Sequence, residues 1–300
     1  MRGLLSLMLA IPVAVGCKDT AKNDSDDDAS TSDTGTETET DTDTDTGTPD
    51  EELPPCTGTF KILEADDSTE IEDCTEINGN ISIGYIKYID LEDDWDEREM
   101  SANFPVFEGL NGITTITGGL GIRFNDILTE IAGLSNLTKV GALYIEENDV
   151  LNNLGTLSNI TTIEGDLNLY ENPALVELNG LAGITSVGGD AKIWANDAIE
   201  SFSGLANLSA VGGTLRITNN DAITSLAGLG SLTTVGGDLS ISRNNALTSF
   251  DGLDSLTTVR GDLNIAGNEA LCQSVVNAFV TRLEGLGWTG NTDIYGNAAC

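Results

Sequence analysis

From residue 120 onward the apolar positions keep a fixed beat. An aliphatic recurs at Ile122, Ile145, Leu169, Ile193, Ile217, Ile241 and Ile265. Two residues before each stands Leu120, Leu143, Leu167, Ala191, Leu215, Leu239 or Leu263, and three residues after each stands an asparagine. That column is Asn125, Asn148, Asn172, Asn196, Asn220, Asn244 and Asn268, at an interval of 23 residues once and 24 five times. Alternation at period two predicts a short strand with the two aliphatics facing one way. Each unit carries a second apolar set, as in Leu229, Leu232 and Val235, and a third short extended piece, as in "AITSL" at 222–226. The pairs Gly188–Gly189, Gly212–Gly213 and Gly236–Gly237 read as tight turns just before the strand. About 24 residues cannot hold a strand, a long helix and two turns, so each unit is expected to be mostly extended. Self-similarity at this period signals stacked rungs. The predicted fold is mainly β: a right-handed β-solenoid of about 24-residue rungs with apolar side chains stacked inside.

The body ends differently. Val275, Val276, Phe279, Val280, Leu283 and Leu286 recur at helical spacing between Ser274 and Leu286. This predicts a short C-terminal helix across the last rung, as solenoid termini require, with Trp288 in the same cap. The cap is expected to occupy 271–300.

An asparagine at fixed spacing after a strand resembles the ladder of leucine-rich repeats, where each side chain bonds backbone groups of the turn. "CTEINGNISI" at 74–83 resembles the opening of receptor L domains, through Cys74, Ile77, Gly79, Asn80, Ile81 and Ile83. The ending "LCQSVVNAFVTRLEGLGWTGNTDIYGNAAC" at 271–300 resembles the closing cap of bacterial lipoproteins with such repeats. The resemblance covers 56–300. One departure is a gap of 39 residues from Ile83 to Ile122, 15 more than one rung. The surplus implies an acidic insertion over about 86–103, centred on Trp95, that is either solvated or a docking or ion-binding loop.

The amino terminus is a separate zone. Arg2, an apolar run from Gly3 to Gly16, and Cys17 have the shape of a secretory leader, too short for the roughly 20 residues that span a bilayer. "AVGC" at 14–17 resembles the bacterial lipobox, with Ala14 where the commonest form has Leu. The resemblance implies a signal peptide over 1–16, cleavage before Cys17, lipid on Cys17, and a membrane attachment through that lipid. Lys18 stands where Asp is the inner-membrane retention signal, so the outer membrane or cell surface of a Gram-negative-type bacterium is the expected address. Residues 18–55 hold 14 acidic and two basic residues and almost nothing apolar. Such a segment buries too little to offset the entropy of ordering it, and like charges extend it. It reads as a disordered acidic tether, 17–55 with the lipidated cysteine. "DTDTDT" at 41–46 lacks the glycine and glutamate that an EF-hand loop needs.

Of 49 acidic and 13 basic residues in the chain, the body from 56 to 300 keeps 35 and 10. So negative a body excludes nucleic acid, which demands basic clusters. Histidine is absent, which excludes Ser-His-Asp and Cys-His catalysis and His-ligated zinc. No spacing singles out a carboxylate pair for glycoside hydrolysis. The expectation is a non-enzyme without cofactor or metal. Cys56, Cys74, Cys272 and Cys300 allow three disulfide pairings, and their positions favour the local ones, 56 with 74 and 272 with 300, closing both ends of the body. The "NLT", "NIT" and "NLS" triplets at 136, 159 and 207 match glycan acceptors, yet the rung pattern already accounts for them.

What remains is a binding face. The two outward positions of each strand form two columns. One runs Gly121, Tyr144, Asn168, Lys192, Arg216, Ser240, Asn264; the other runs Arg123, Glu146, Tyr170, Trp194, Thr218, Ser242, Ala266. Arg123, Tyr144, Tyr170, Lys192, Trp194 and Arg216 are the candidate ligand residues: an aromatic pair beside a basic pair, suited to a flat ligand bearing negative charge. The expected function is a surface-anchored scaffold that presents this face to a protein or glycan. A purely structural envelope or adhesion component is the alternative, and a carbohydrate-active β-helix enzyme is a weaker one.

Overall fold

The computed structural model describes residues 55–63, 68, 71–84, 106–107 and 109–300. The leader, Cys17, the acidic tether and the insertion at 86–103 with Trp95 lie outside the described residues. The body from Pro55 to Cys300 is one compact unit.

Its principal strands are β1 (Cys56–Ile62), β2 (Glu76–Gly84), β4 (Thr115–Arg123), β6 (Lys139–Glu146), β8 (Leu167–Tyr170), β10 (Ala191–Trp194), β12 (Leu215–Thr218), β14 (Leu239–Ser242), β16 (Leu263–Ala266) and β17 (Thr292–Tyr295). Between them fall two-residue strands: β3 (Val106–Phe107), β5 (Glu130–Ile131), β7 (Thr162–Ile163), β9 (Ser186–Val187), β11 (Ala210–Val211), β13 (Thr234–Val235) and β15 (Thr258–Val259). Principal strands pair in parallel with their neighbours, and β7 to β15 stack in parallel beside them. The two stacks meet at β6, which pairs with β7 through Lys139–Val140 and with β8 through Leu143–Glu146. The fold is a β-solenoid of about eight turns with a rung of about 24 residues.

Register is set by the apolar beat. Leu167, Ala191, Leu215 and Leu239 align across consecutive strands, as do Leu169, Ile193, Ile217 and Ile241, all at 1% exposure or less. A one-residue slip would turn every aliphatic outward, so the beat specifies the pairing. The rungs are less extended than the sequence implies. Three-residue 3-10 turns close Asn179–Leu181, Ser203–Leu205 and Ala227–Leu229. In each, a leucine N–H donates three residues back, as from Leu205 to the Phe202 carbonyl at 2.8 Å.

The Gly-Gly pairs also have a different cause from the one their sequence suggests. Neither Gly188, Gly212 nor Gly236 has a positive φ. A Cβ on Gly212 would strike the carbonyl oxygen of Gly188, and one on Gly236 that of Gly212. These glycines exist for close approach of stacked backbone, not for a left-handed turn. Left-handed residues recur elsewhere, at the corners: Phe124, Glu147, Glu171, Ala195, Asn219, Arg243, Gly267 and Gly296, each directly before an asparagine.

Threonines run down the short-strand side. Thr138 Oγ1 donates to the Thr114 carbonyl, Ser209 Oγ to Thr185, and Thr233 Oγ1 to Ser209, each at 2.9–3.1 Å. Asn136, Asn159 and Asn207 of the three acceptor-like triplets likewise donate to carbonyls of the preceding rung. Both ends are closed. Cys56 bonds Cys74 and Cys272 bonds Cys300. The helix α1 (Gln273–Gly285) buries Val276, Phe279 and Leu283, and Phe279 meets Phe250 at 4.7 Å. Arg282 donates to the carbonyls of Leu253 and Leu256 at 2.9 Å, and Trp288 Nε1 to that of Gly261. Leu286 does not join this cap. It follows the last helical turn and is 51% exposed.

Paired backbone substitutions separate these two roles of small residues. Gly212→Ala will destabilise the body by about 1–3 kcal/mol, since the new methyl must push two rungs apart. Ala195→Gly will stabilise it by about 0.5 kcal/mol, because a left-handed non-glycine residue costs about 1–2 kcal/mol and glycine's added unfolded-state freedom offsets part of the gain. Denaturant midpoints of the two variants, measured against the parent, check both signs.

Candidate functional site

The asparagine column is an inter-rung clamp. Asn220 Nδ2 donates to the Ile193 carbonyl of the preceding rung at 2.9 Å and to the Thr218 carbonyl of its own at 3.2 Å, while its Oδ1 accepts the Asn196 backbone N–H at 3.2 Å. The same bonds to the preceding rung recur at Asn172, Asn196, Asn244 and Asn268. Asn125 donates to the Ile83 and Arg123 carbonyls at 3.2 and 3.1 Å. All seven side chains are 0% exposed. They touch no solvent and present nothing to a ligand.

An eighth member, Asn297, continues the column. It donates to the Ile265 carbonyl at 2.8 Å and accepts the Asn268 N–H at 3.2 Å. Its interval is 29 residues because helix α1 is spliced into that rung, and this breaks the period. The signal was nonetheless present in Ile294, three residues ahead of it.

A second column, of aspartates, stands at the strand entrances. Asp166 Oδ1 accepts the Asp190 N–H, Asp190 Oδ1 the Thr214 N–H, Asp238 Oδ1 the Asp262 N–H and Asp262 Oδ1 the Asn291 N–H, each at 2.8 Å. The triplets "EGD", "GGD", "GGD" and "RGD" that end at Asp166, Asp190, Asp238 and Asp262, with Thr214 in the rung between, carried this pattern in the sequence at the 24-residue period. The Thr214 N–H, aided by Lys192, holds the Asp190 carboxyl below its ordinary pKa.

The outward face of the principal strands holds all six candidate ligand residues. Register places Tyr170 opposite Trp194 and Lys192 opposite Arg216. The Tyr170 and Trp194 rings stack with centroids 3.8 Å apart and planes 16° from parallel. Asn168 steadies the indole by accepting its Nε1–H at 3.3 Å. That role was invisible in the sequence, since Asn168 is one polar residue among many until register places it beside the tryptophan. Arg123 lies over the Tyr144 ring at 4.5 Å and pairs with Glu146 at 2.7 Å. Lys192 pairs with Asp190 at 3.0 Å.

The expected basic pair is therefore half engaged. Lys192 is partnered inside the chain, whereas Arg216 is exposed and forms no ion pair among the described residues. The Tyr170 hydroxyl donates to the Glu171 carboxylate, which pushes its pKa up to about 12. Burial, then the Asp166 charge, raises that of Tyr144. Both phenols stay neutral across physiological pH. Among the described residues, no group of three or more His, Cys, Asp or Glu side chains is placed to hold a metal ion.

Comparison with protein families, curated proteins and solved structures finds no match to this chain.

Asp190 makes the stability of the body depend on acid. A carboxyl whose pKa is lowered on folding adds stability above its unfolded value and loses it as pH falls through the folded one. Below about pH 4 the parent will lose stability, and Asp190→Asn will lose less over the same range. Urea midpoints of the two proteins between pH 7 and pH 2.5 will converge as pH falls.

Proposed function

We propose that the protein is an exported, lipid-anchored recognition scaffold that offers the outward face of its principal strands to a protein or glycan ligand. The observation that carries this reading is the stacked Tyr170–Trp194 pair, held outward and steadied by Asn168 on a parallel sheet. Aromatic groups supply large contact area at low entropic cost and anchor binding sites. Here the pair adds nothing to the core, which lies on the opposite face of the same strands. Each ring is partly exposed, a costly use of a tryptophan unless something covers it. Tyr144 and the Arg123–Glu146 pair extend the face toward the N-terminal rungs.

The address rests on the sequence of the leader and Cys17. Among the described residues no helix is long and apolar enough to cross a membrane, so the anchor would be the lipid. Stable attachment needs more than one acyl chain, which the triacylated cysteine of bacterial lipoproteins supplies.

Two measurements test the halves separately. Cys17→Ser will shift the protein from the membrane to the soluble fraction of lysed cells. Persistence with outer membrane after a high-salt wash contradicts the anchor. For the face, the full-length protein is applied to an array of glycans and cell-surface proteins, with a Tyr170→Ala/Trp194→Ala variant of unchanged unfolding midpoint alongside. Loss of the parent's binding by at least tenfold is expected; equal binding removes this face as the site.

A further inference from the structure

We infer that the half of this face between Trp194 and Tyr295 is a subsite for a short acidic oligosaccharide lying along the solenoid axis, a ligand class that deepens, and rests on, the recognition-scaffold reading.

The argument begins with side-chain size. In the second outward column, register runs from Trp194 to Thr218, Ser242, Ala266 and Tyr295. Three small residues lie between two aromatics. Trp194 stacks on Tyr170 and donates to Asn168, both on the far side of its strand. Its other indole face is thereby left toward Thr218. At the far end Tyr295 is 58% exposed. Trp194 and Tyr295 are four strand steps apart, about 19 Å at ~4.8 Å per step. The result is a shallow trough with an aromatic wall at each end.

The floor and flank are polar. The Thr218 and Ser242 hydroxyls bond each other at 3.1 Å. The first outward column contributes Arg216, Ser240, Asn264 and Asp293 along the side. Ser240 is only 8% exposed. Beside it, Asn264 Oδ1 is buried without a hydrogen-bond partner among the described residues. A polar atom so placed in native proteins is normally satisfied, and this one points to a hydroxyl-bearing ligand that completes it.

Ligand class follows from what the trough has and lacks. Of the large apolar side chains exposed among the described residues, Ile127, Val150, Val176, Leu286 and Tyr295, Tyr295 alone lies on this face. A protein partner needs an apolar patch around its aromatic anchors, and none is present. A pyranose chain instead lays its hydroxyls on a Ser, Thr and Asn floor, and its terminal sugars meet the aromatic walls end-on. Its ring-to-ring repeat is close to the strand spacing, so successive sugars would meet successive rungs. Arg216, exposed and unpaired by the described acids, sits beside the Trp194 end on a strongly negative body. A guanidinium there complements a carboxylate, which selects a uronate over a neutral sugar at that end.

Calorimetric titration of the full-length protein with a β-1,4-linked mannuronate tetramer, and with β-1,4-linked mannotetraose as its neutral counterpart, tests this. The uronate tetramer is expected to bind more tightly, with an affinity that falls as salt rises. Arg216→Gln is expected to weaken it about tenfold and leave mannotetraose unchanged. Ser242→Trp, which fills the floor but keeps the Tyr170–Trp194 pair, is expected to abolish binding of both. The inference is overturned if the parent binds neither tetramer, or if Ser242→Trp binds the uronate as the parent does. A protein captured on the array and lost in Tyr170→Ala/Trp194→Ala, but indifferent to Ser242→Trp, would overturn the subsite while the scaffold reading stands.

Discussion

The clamp made by each buried asparagine on the rung before it is the interaction on which the rest of the molecule depends. At every corner the residue preceding that asparagine is left-handed, and in six of eight corners it is not glycine. Such a conformation costs about 1–2 kcal/mol per residue and persists only where the surroundings over-determine it. The asparagine amide supplies that determination, by donating to two carbonyls and accepting one N–H across two rungs. A clamp that spans rungs makes each corner conditional on its neighbour. Cooperativity along the stack follows from this geometry.

Close stacking is the second consequence. The corners hold strands at a spacing so tight that a Cβ on Gly188, Gly212 or Gly236 would strike the backbone of the preceding rung. Threonine hydroxyls and aspartate carboxylates then fill remaining backbone valences on two other sides of the rung. The outward face inherits the same regularity. Tyr170 and Trp194 stack because register places them on adjacent strands, and the small residues beyond them line up for the same reason. Any recognition by this face would use a sheet that does not need to reorganise, which lowers the cost of binding.

Much of this was legible in the residues, and the exceptions have physical causes. The β-solenoid, the asparagine column and the capping helix followed from periodicity, because burial is periodic in both strands and helices. Local disulfide pairing followed from position. The glycine pairs were visible as turns before the strand, but their cause was not, since sequence alone does not separate a glycine needed for φ from one needed for clearance. Asn297 was hidden by the 29-residue interval that helix α1 introduces. The aspartate column was present at the rung period but lacked a chemical reason until the backbone N–H groups it serves were located. The face was only partly legible: its aromatic pair followed from the alternation, whereas the pairing of Lys192 with Asp190 and of Arg123 with Glu146 depended on side-chain reach, which spacing does not encode.

The most direct test of the clamp is native-state hydrogen exchange on Asn220→Ala. In the parent the Asn196 backbone N–H is buried against Asn220 Oδ1, so it exchanges slowly. With that acceptor gone, the Asn196 amide is predicted to exchange about tenfold faster or more, while the Asn244 amide, which donates to Asn268, keeps the parent's protection. Unchanged protection at Asn196 would contradict the claim that the asparagine column holds the rungs together.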